Sequence, residues 1–135
     1  MNKETMLKDM FRKGNDYYYD KSYDLAIDCY DQYLELCDDN TEQKGSILYN
    51  RGVVLIKQKQ YDNALVDLQE SIKILKMNKG TYKKIGNALF NIGYCYMKLR
   101  NSYMSYLYFS KATKYLPQDE QLNRTLDMIK KELIV

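Results

Sequence analysis

Three stretches of the chain repeat one alternation of apolar and polar positions: FRKGNDYYYDKSYDLAI (11–27), YNRGVVLIKQKQYDNAL (49–65) and ALFNIGYCYMKL (88–99). Aligned on Gly14, Gly52 and Gly93, they place Met10, Leu48 and Leu89 four residues before the glycine and Tyr17, Leu55 and Tyr96 three after it. Apolar residues at that spacing lie along one helical face. Twelve residues after each glycine come Ala26, Ala64 and Ser105, and four further on come Tyr30, Leu68 and Phe109. Polar breaks intervene at Asp20-Lys21-Ser22, Gln58-Lys59-Gln60 and Arg100-Asn101-Ser102. Each copy therefore predicts a helix, a tight turn and a second helix, in repeats at about 4–40, 41–78 and 79–117. A glycine inside a helix costs about 1 kcal/mol against alanine. We expect close packing to offset this, with each glycine facing the Ala or Ser of its partner helix and residues such as Tyr30 and Phe109 filling the flanks. After Pro117, Leu122, Leu126, Ile129 and Leu133 share a stripe, with Asp119 and Glu120 at its start and Lys130 and Lys131 at its end. That charge order suits a helix dipole and predicts a seventh, capping helix over 118–133.

The frame resembles the tetratricopeptide repeat (TPR) family over about residues 4–117. The family signature runs Trp-x2-Leu-Gly-x2-Tyr, then Ala-x3-Phe, then Pro. The glycine matches in all three copies, and the Ala/Ser and large positions match in kind. Met10, Leu48 and Leu89 stand for the tryptophan; Lys13, Arg51 and Ile92 precede the glycine, so only the third copy is apolar there. Pro117 supplies the terminal proline in the third copy alone. The resemblance implies an all-α fold, a right-handed superhelix of three helix pairs with the seventh helix as cap, in a single domain over 1–135. The copies are 38 and 41 residues apart, against a family period of 34. The extra residues are close to whole helical turns, which predicts longer helices around 34–50 and 72–90 rather than floppy loops. On the face where an earlier repeat would pack, the first copy carries Asp9, Asp16 and Asp20. Later copies have Ile47, Val54 and Gln58, then Ala88, Cys95 and Leu99. The aspartates predict a water-facing end with no repeat before it.

In such stacks the first helix of each pair lines the concave side. These helices carry a second stripe there, well apart from the core stripe. Phe11, Tyr49 and Phe90 form one ladder across the copies; Arg12, Asn50 and Asn91 form another. Asn15, Val53 and Tyr94 follow, then Tyr18, Ile56 and Met97, edged by Tyr19, Lys57 and Lys98. An asparagine amide offers both a donor and an acceptor to a peptide backbone. Aromatic rings supply apolar area, and rim lysines favour acidic side chains. The candidate peptide-binding residues are thus Phe11, Arg12, Asn15, Tyr49, Asn50, Lys57, Phe90, Asn91, Tyr94 and Lys98. The resemblance implies the same use, since many TPR proteins hold a ligand's main chain with asparagines at the positions of Asn50 and Asn91. The alternative is a groove filled by the chain itself, for instance by its C-terminal helix. Some TPR co-chaperones grip a C-terminal carboxylate with two asparagines and three basic residues. Asn15 and Asn50 match the asparagines, but Phe11, Asn87 and Asn91 stand at the basic positions, which removes the charge a carboxylate clamp needs.

Composition narrows the function classes. The 135 residues include no histidine, the commonest acid–base group and metal ligand. No GxSxG, HExxH or phosphate-loop pattern occurs, so we expect neither catalysis nor a metal or other cofactor. Cys29, Cys37 and Cys95 form no CxxC pair and read as small reduced core residues. No apolar run is long enough for a membrane span and the charged start lacks a signal-peptide core, so cytoplasmic residence is the expectation. Charge is uneven: residues 1–40 hold five Lys/Arg against ten Asp/Glu, and residues 41–135 hold sixteen against eight. From Ser71 to Gln118 there are nine Lys/Arg and no acid. That segment is either a solvated face or a field attractive to acidic partners. The leading reading is a protein–protein adaptor that binds an extended or helical, acidic peptide. Alternatives are a cytoplasmic chaperone for a secreted or assembled partner, nucleic-acid binding through 71–118, and homo-oligomers joining the acidic first repeat to the basic third.

Overall fold

A computed structural model describes residues 2–134, and all regular structure among them is α-helical. The helices are α1 (Lys3–Tyr19), α2 (Tyr23–Leu36), α3 (Glu42–Lys57), α4 (Tyr61–Leu75), α5 (Tyr82–Lys98), α6 (Ser102–Tyr115) and α7 (Glu120–Ile134). Side chains start several of them. Asn2 Oδ1 accepts from Thr5 N at 2.8 Å, Thr41 Oγ1 from Lys44 N at 3.2 Å and Asp119 Oδ1 from Leu122 N at 2.9 Å. Each satisfies one of the free N–H groups of a first turn.

The three polar breaks adopt one conformation. Lys21, Lys59 and Arg100 have φ of 62°, 61° and 62°. The following N–H groups, of Ser22, Gln60 and Asn101, reach back to the carbonyls of Tyr17, Leu55 and Tyr96 at 2.8 Å in each copy. This is a Schellman ending, built three times without the glycine that usually takes the left-handed position. That conformation costs an L residue about 1–2 kcal/mol, part of which glycine's freedom in the unfolded chain takes back. The triple change Lys21→Gly, Lys59→Gly and Arg100→Gly should therefore raise unfolding free energy by about 1.5 kcal/mol, read from a urea transition. A lowered midpoint would contradict the strain.

Consecutive helices pack as antiparallel neighbours, with α1, α3 and α5 in one layer and α2, α4 and α6 in the other. The glycines do permit close approach, but the residue over them differs from expectation. A Cβ on Gly14 would meet the Tyr30 ring at 2.5 Å, one on Gly52 would meet Leu68 Cγ at 3.0 Å, and one on Gly93 would meet Phe109 Cδ1 at 2.7 Å. The large residue sixteen positions on sits directly against each glycine instead of at its flank. The small partner has its own role in the third pair, where Ser105 Oγ donates to Gly93 O at 2.9 Å. Gly45 and Gly86, each seven residues before a repeat glycine, receive Leu75 and Leu116 in the same manner.

The extra residues of the long period are shared between helix and turn. α3 and α5 do extend their N-terminal ends, yet residues 37–41 and 76–81 are non-helical. These turns are pinned: Thr81 Oγ1 donates to Leu75 O at 2.7 Å, and Asn78 Nδ2 donates to Asn40 O at 3.1 Å. Asp16 and Asp20 are exposed, while the later equivalents Ile47, Val54, Ala88 and Cys95 are buried. Cys29 and Cys95 are buried and Cys37 is half-buried, all as free thiols. Burial pushes the Cys95 thiol up to about 12. α7 lies on α6 through Leu122 and Ile129, which are buried, whereas Leu133 is exposed and drops out of the expected stripe. No described helix is long and apolar enough to cross a membrane.

Arg51 shows how a non-apolar residue fits before the glycine. Its Nε and Nη2 donate to Asp67 at 2.7 and 2.8 Å, and its Nη1 donates to Asp31 at 2.8 Å. One guanidinium on α3 thereby ties α4 to α2. The Asp67 hydrogen bonds raise the guanidinium's pKa further above its already high ordinary value.

Candidate peptide-binding groove

The inner-layer helices leave a continuous trough. Cavities of about 540, 310 and 250 Å³ follow one another along it, and Tyr49 lines all three. The largest holds Lys57, Phe90, Asn91, Tyr94 and Lys98 around Tyr49. The next joins Asn15 to Asn50, and the third joins Phe11 to Asn50. No residue of α7 lines any of them, so the C-terminal helix caps the end of the stack and does not fill the groove.

Arg12 is the exception among the expected residues. It is turned outward, pairing with Asp9 at 2.8 Å and Asp16 at 3.5 Å, and it borders a separate cavity of about 360 Å³ at the α1 end. The ladder of Arg12, Asn50 and Asn91 is therefore broken at its first rung. Met97 is also absent from the trough, at 40% exposure. The structure adds residues that periodicity on first helices alone did not give: Tyr61 of α4, Lys59 of a turn, and Ser46, Lys84 and Asn87 upstream on α3 and α5. Phe11 and Phe90 serve the core as well, their rings packing on Tyr33 and Phe109 with centroids 6.1 and 5.2 Å apart.

The asparagines are held by one another and by tyrosines. Asn15 Oδ1 accepts from Tyr30 Oη at 2.6 Å and from Asn50 Nδ2 at 3.1 Å. Asn91 Nδ2 donates to Tyr49 Oη at 2.9 Å and to Asn87 O at 3.1 Å. Among the described residues these bonds engage Asn15 Oδ1, Asn50 Nδ2 and Asn91 Nδ2, and leave the amide oxygens of Asn50 and Asn91 and the Nδ2 of Asn15 without a protein partner. The trough thus presents two fixed acceptor oxygens, on Asn50 and Asn91, and free N–H groups on the Asn15 and Asn50 amides, the complement of a peptide's N–H and C=O groups. Burial pushes the Tyr49 phenol up, with Asn91's hydrogen bond opposing it, so Tyr49 stays protonated at neutral pH. Lys57, Lys59 and Lys98 give the large cavity a positive end, and no carboxylate lines it. Lys98 Nζ stands 5.5 Å from the centroid of the Tyr94 ring. At the other end Lys84 is paired with Glu42 at 2.8 Å. The positions where a carboxylate clamp would carry cations hold Phe11, Asn87 and Asn91, which line the trough without charge.

Residues 45–74 and 86–119 match the tetratricopeptide repeat family model. With the three paired helices and the shared turn, these matches make the chain a tetratricopeptide repeat domain. Solved structures agree on the fold. The N-terminal domain of stress-induced protein-1 (STI-1) from C. elegans is 18% identical, with a TM-score of 0.79 over 93% of this chain and 97% of that one. The Arabidopsis OM64 TPR domain is 18% identical, with a TM-score of 0.81 over 97% and 99%. The second TPR domain of human RPAP3, solved in complex with the HSP70 peptide SGPTIEEVD, is 21% identical, with a TM-score of 0.77 over 96% and 98%.

Proposed function

We propose that this domain is a non-catalytic adaptor that holds an acidic peptide segment of another protein in the trough of α1, α3 and α5. The observation that carries the reading is the open trough itself, in which the free amide atoms of Asn15, Asn50 and Asn91 meet half-buried aromatic rings and the Lys57–Lys98 end. The human RPAP3 neighbour was solved with a peptide ending in Glu-Glu-Val-Asp, which supports a peptide ligand for a trough of this shape. The grip is different here. Phe11, Asn87 and Asn91 supply no cation for a terminal carboxylate, so recognition falls on the ligand's main chain and its acidic side chains. Cytoplasmic residence fits such a role.

Peptides selected from a displayed random library on the purified domain test this. The Asn50→Ala/Asn91→Ala variant, shown folded by circular dichroism, should bind them about thirtyfold more weakly, at about 1 kcal/mol per lost hydrogen bond. Amidating the peptide's C-terminus should leave its affinity unchanged. Equal binding by wild type and variant would remove the trough from recognition, and loss on amidation would restore a carboxylate clamp.

A further inference from the structure

The two crevices between outer-layer helices are equivalent by repeat, but they are filled differently. Between α2 and α4 the floor residue is Arg51, clamped by Asp67 and Asp31. The repeat equivalents of these three, between α4 and α6, are Ile92, Tyr108 and Gln69. The ionic plug is gone, and a cavity of about 330 Å³ remains, floored by Ile72, Leu89 and Ile92. Its rim carries Lys76, Lys111 and Lys114. None of these three lysines is ion-paired among the described residues. Lys111 Nζ instead stands 4.7 Å from the Tyr108 ring centroid, and that ring stacks on Tyr96. No carboxylate lines the cavity, and it shares no residue with the trough on the inner layer.

We propose that this α4–α6 crevice is a second docking site, for a partner-protein segment carrying clustered carboxylates around one apolar side chain. The apolar floor takes the anchor, which gains by leaving water. The three ammoniums close over it and find the carboxylates they lack within the chain. A nucleic acid fits this geometry less well, because its phosphates would follow a track of cations and its backbone offers no apolar anchor. A second copy of the chain would have to present α2, whose exposed Asp24, Asp28 and Glu35 lie near exposed Leu25 and Leu36. A flexible partner segment needs no such rigid match.

The probe is a fluorescent, end-blocked peptide of aspartate and glutamate with a central leucine, followed by anisotropy. Lys111→Glu/Lys114→Glu should weaken its binding at least about tenfold, while Lys111→Arg/Lys114→Arg retains it. Changing the leucine to serine should also cost about tenfold. Because the trough also takes acidic peptides, every titration is made in the Asn50→Ala/Asn91→Ala background, which weakens binding in the trough and leaves the crevice as it is. The proposal is overturned if the lysine reversals or the serine probe bind as well as the originals. It is also overturned if a single-stranded oligonucleotide displaces the probe at equal charge concentration. A mass that rises with protein concentration in wild type but not in Lys111→Glu/Lys114→Glu would assign the crevice to a second copy instead.

Discussion

Arg51→Ala should lower the unfolding free energy by about 3 kcal/mol. The cost comes from what is left behind. Asp67 is only 6% exposed and its carboxylate takes two hydrogen bonds from the guanidinium. Without Arg51 a buried charge stands unpaired, and Asp31 loses its tie across from α2. Replacing both members, Arg51→Leu with Asp67→Leu, should recover most of the loss, because the desolvation cost of the pair disappears with it. The third repeat does without the ion pair, with Ile92 and Tyr108 at those positions. Urea denaturation of the three proteins reads the effect. A single variant within about 1 kcal/mol of wild type would mean that the ion pair holds nothing together.

Phe109→Ala should cost still more, about 4 kcal/mol. The ring is 1% exposed and lies directly on Gly93, in contact with the Phe90 ring as well. Its removal leaves a cavity between α5 and α6, which those helices can close only by moving over the glycine. The converse change follows from the same contact. Gly93→Ala places a Cβ 2.7 Å from the Phe109 ring, so it should destabilise the wild type by about 1–2 kcal/mol, overpacking outweighing the gain in helix propensity. In a Phe109→Leu background, which copies the Gly52–Leu68 pair of the second repeat, Gly93→Ala should cost clearly less. Equal cost in both backgrounds would show that the glycine and the ring are independent.

Much of this architecture was legible because the repeat is written three times at fixed offsets from a glycine. Helix positions, the polar turns and the apolar stripe of α7 up to Ile129 all follow from spacing that a single helix imposes. The turn conformation was not legible, since lysine and arginine occupy a left-handed position that usually announces itself as glycine. Periodicity placed Phe109 beside the glycine's partner but not on the glycine, because rotamer and crossing angle decide which side chain covers which backbone. The same limit applies in the trough. Arg12 shares a helical register with Asn50 and Asn91, yet Asp9 and Asp16 on its own helix draw it outward. The link from Arg51 to Asp31 and Asp67 spans three helices, and no local pattern encodes it. Nor does spacing along one helix reveal that Asn15, Asn50 and Tyr30 meet.

The most direct test of the central claim is a two-dimensional nitrogen–proton spectrum of the labelled domain, titrated with a library-selected peptide and assigned at the asparagine side chains. Main-chain recognition in the trough predicts that the amide signals of Asn15, Asn50 and Asn91 shift in proportion to bound peptide, with Lys57 and Lys98 backbone signals moving at one end. Shifts confined to α4 and α6, with those three side-chain amides unmoved, would contradict it.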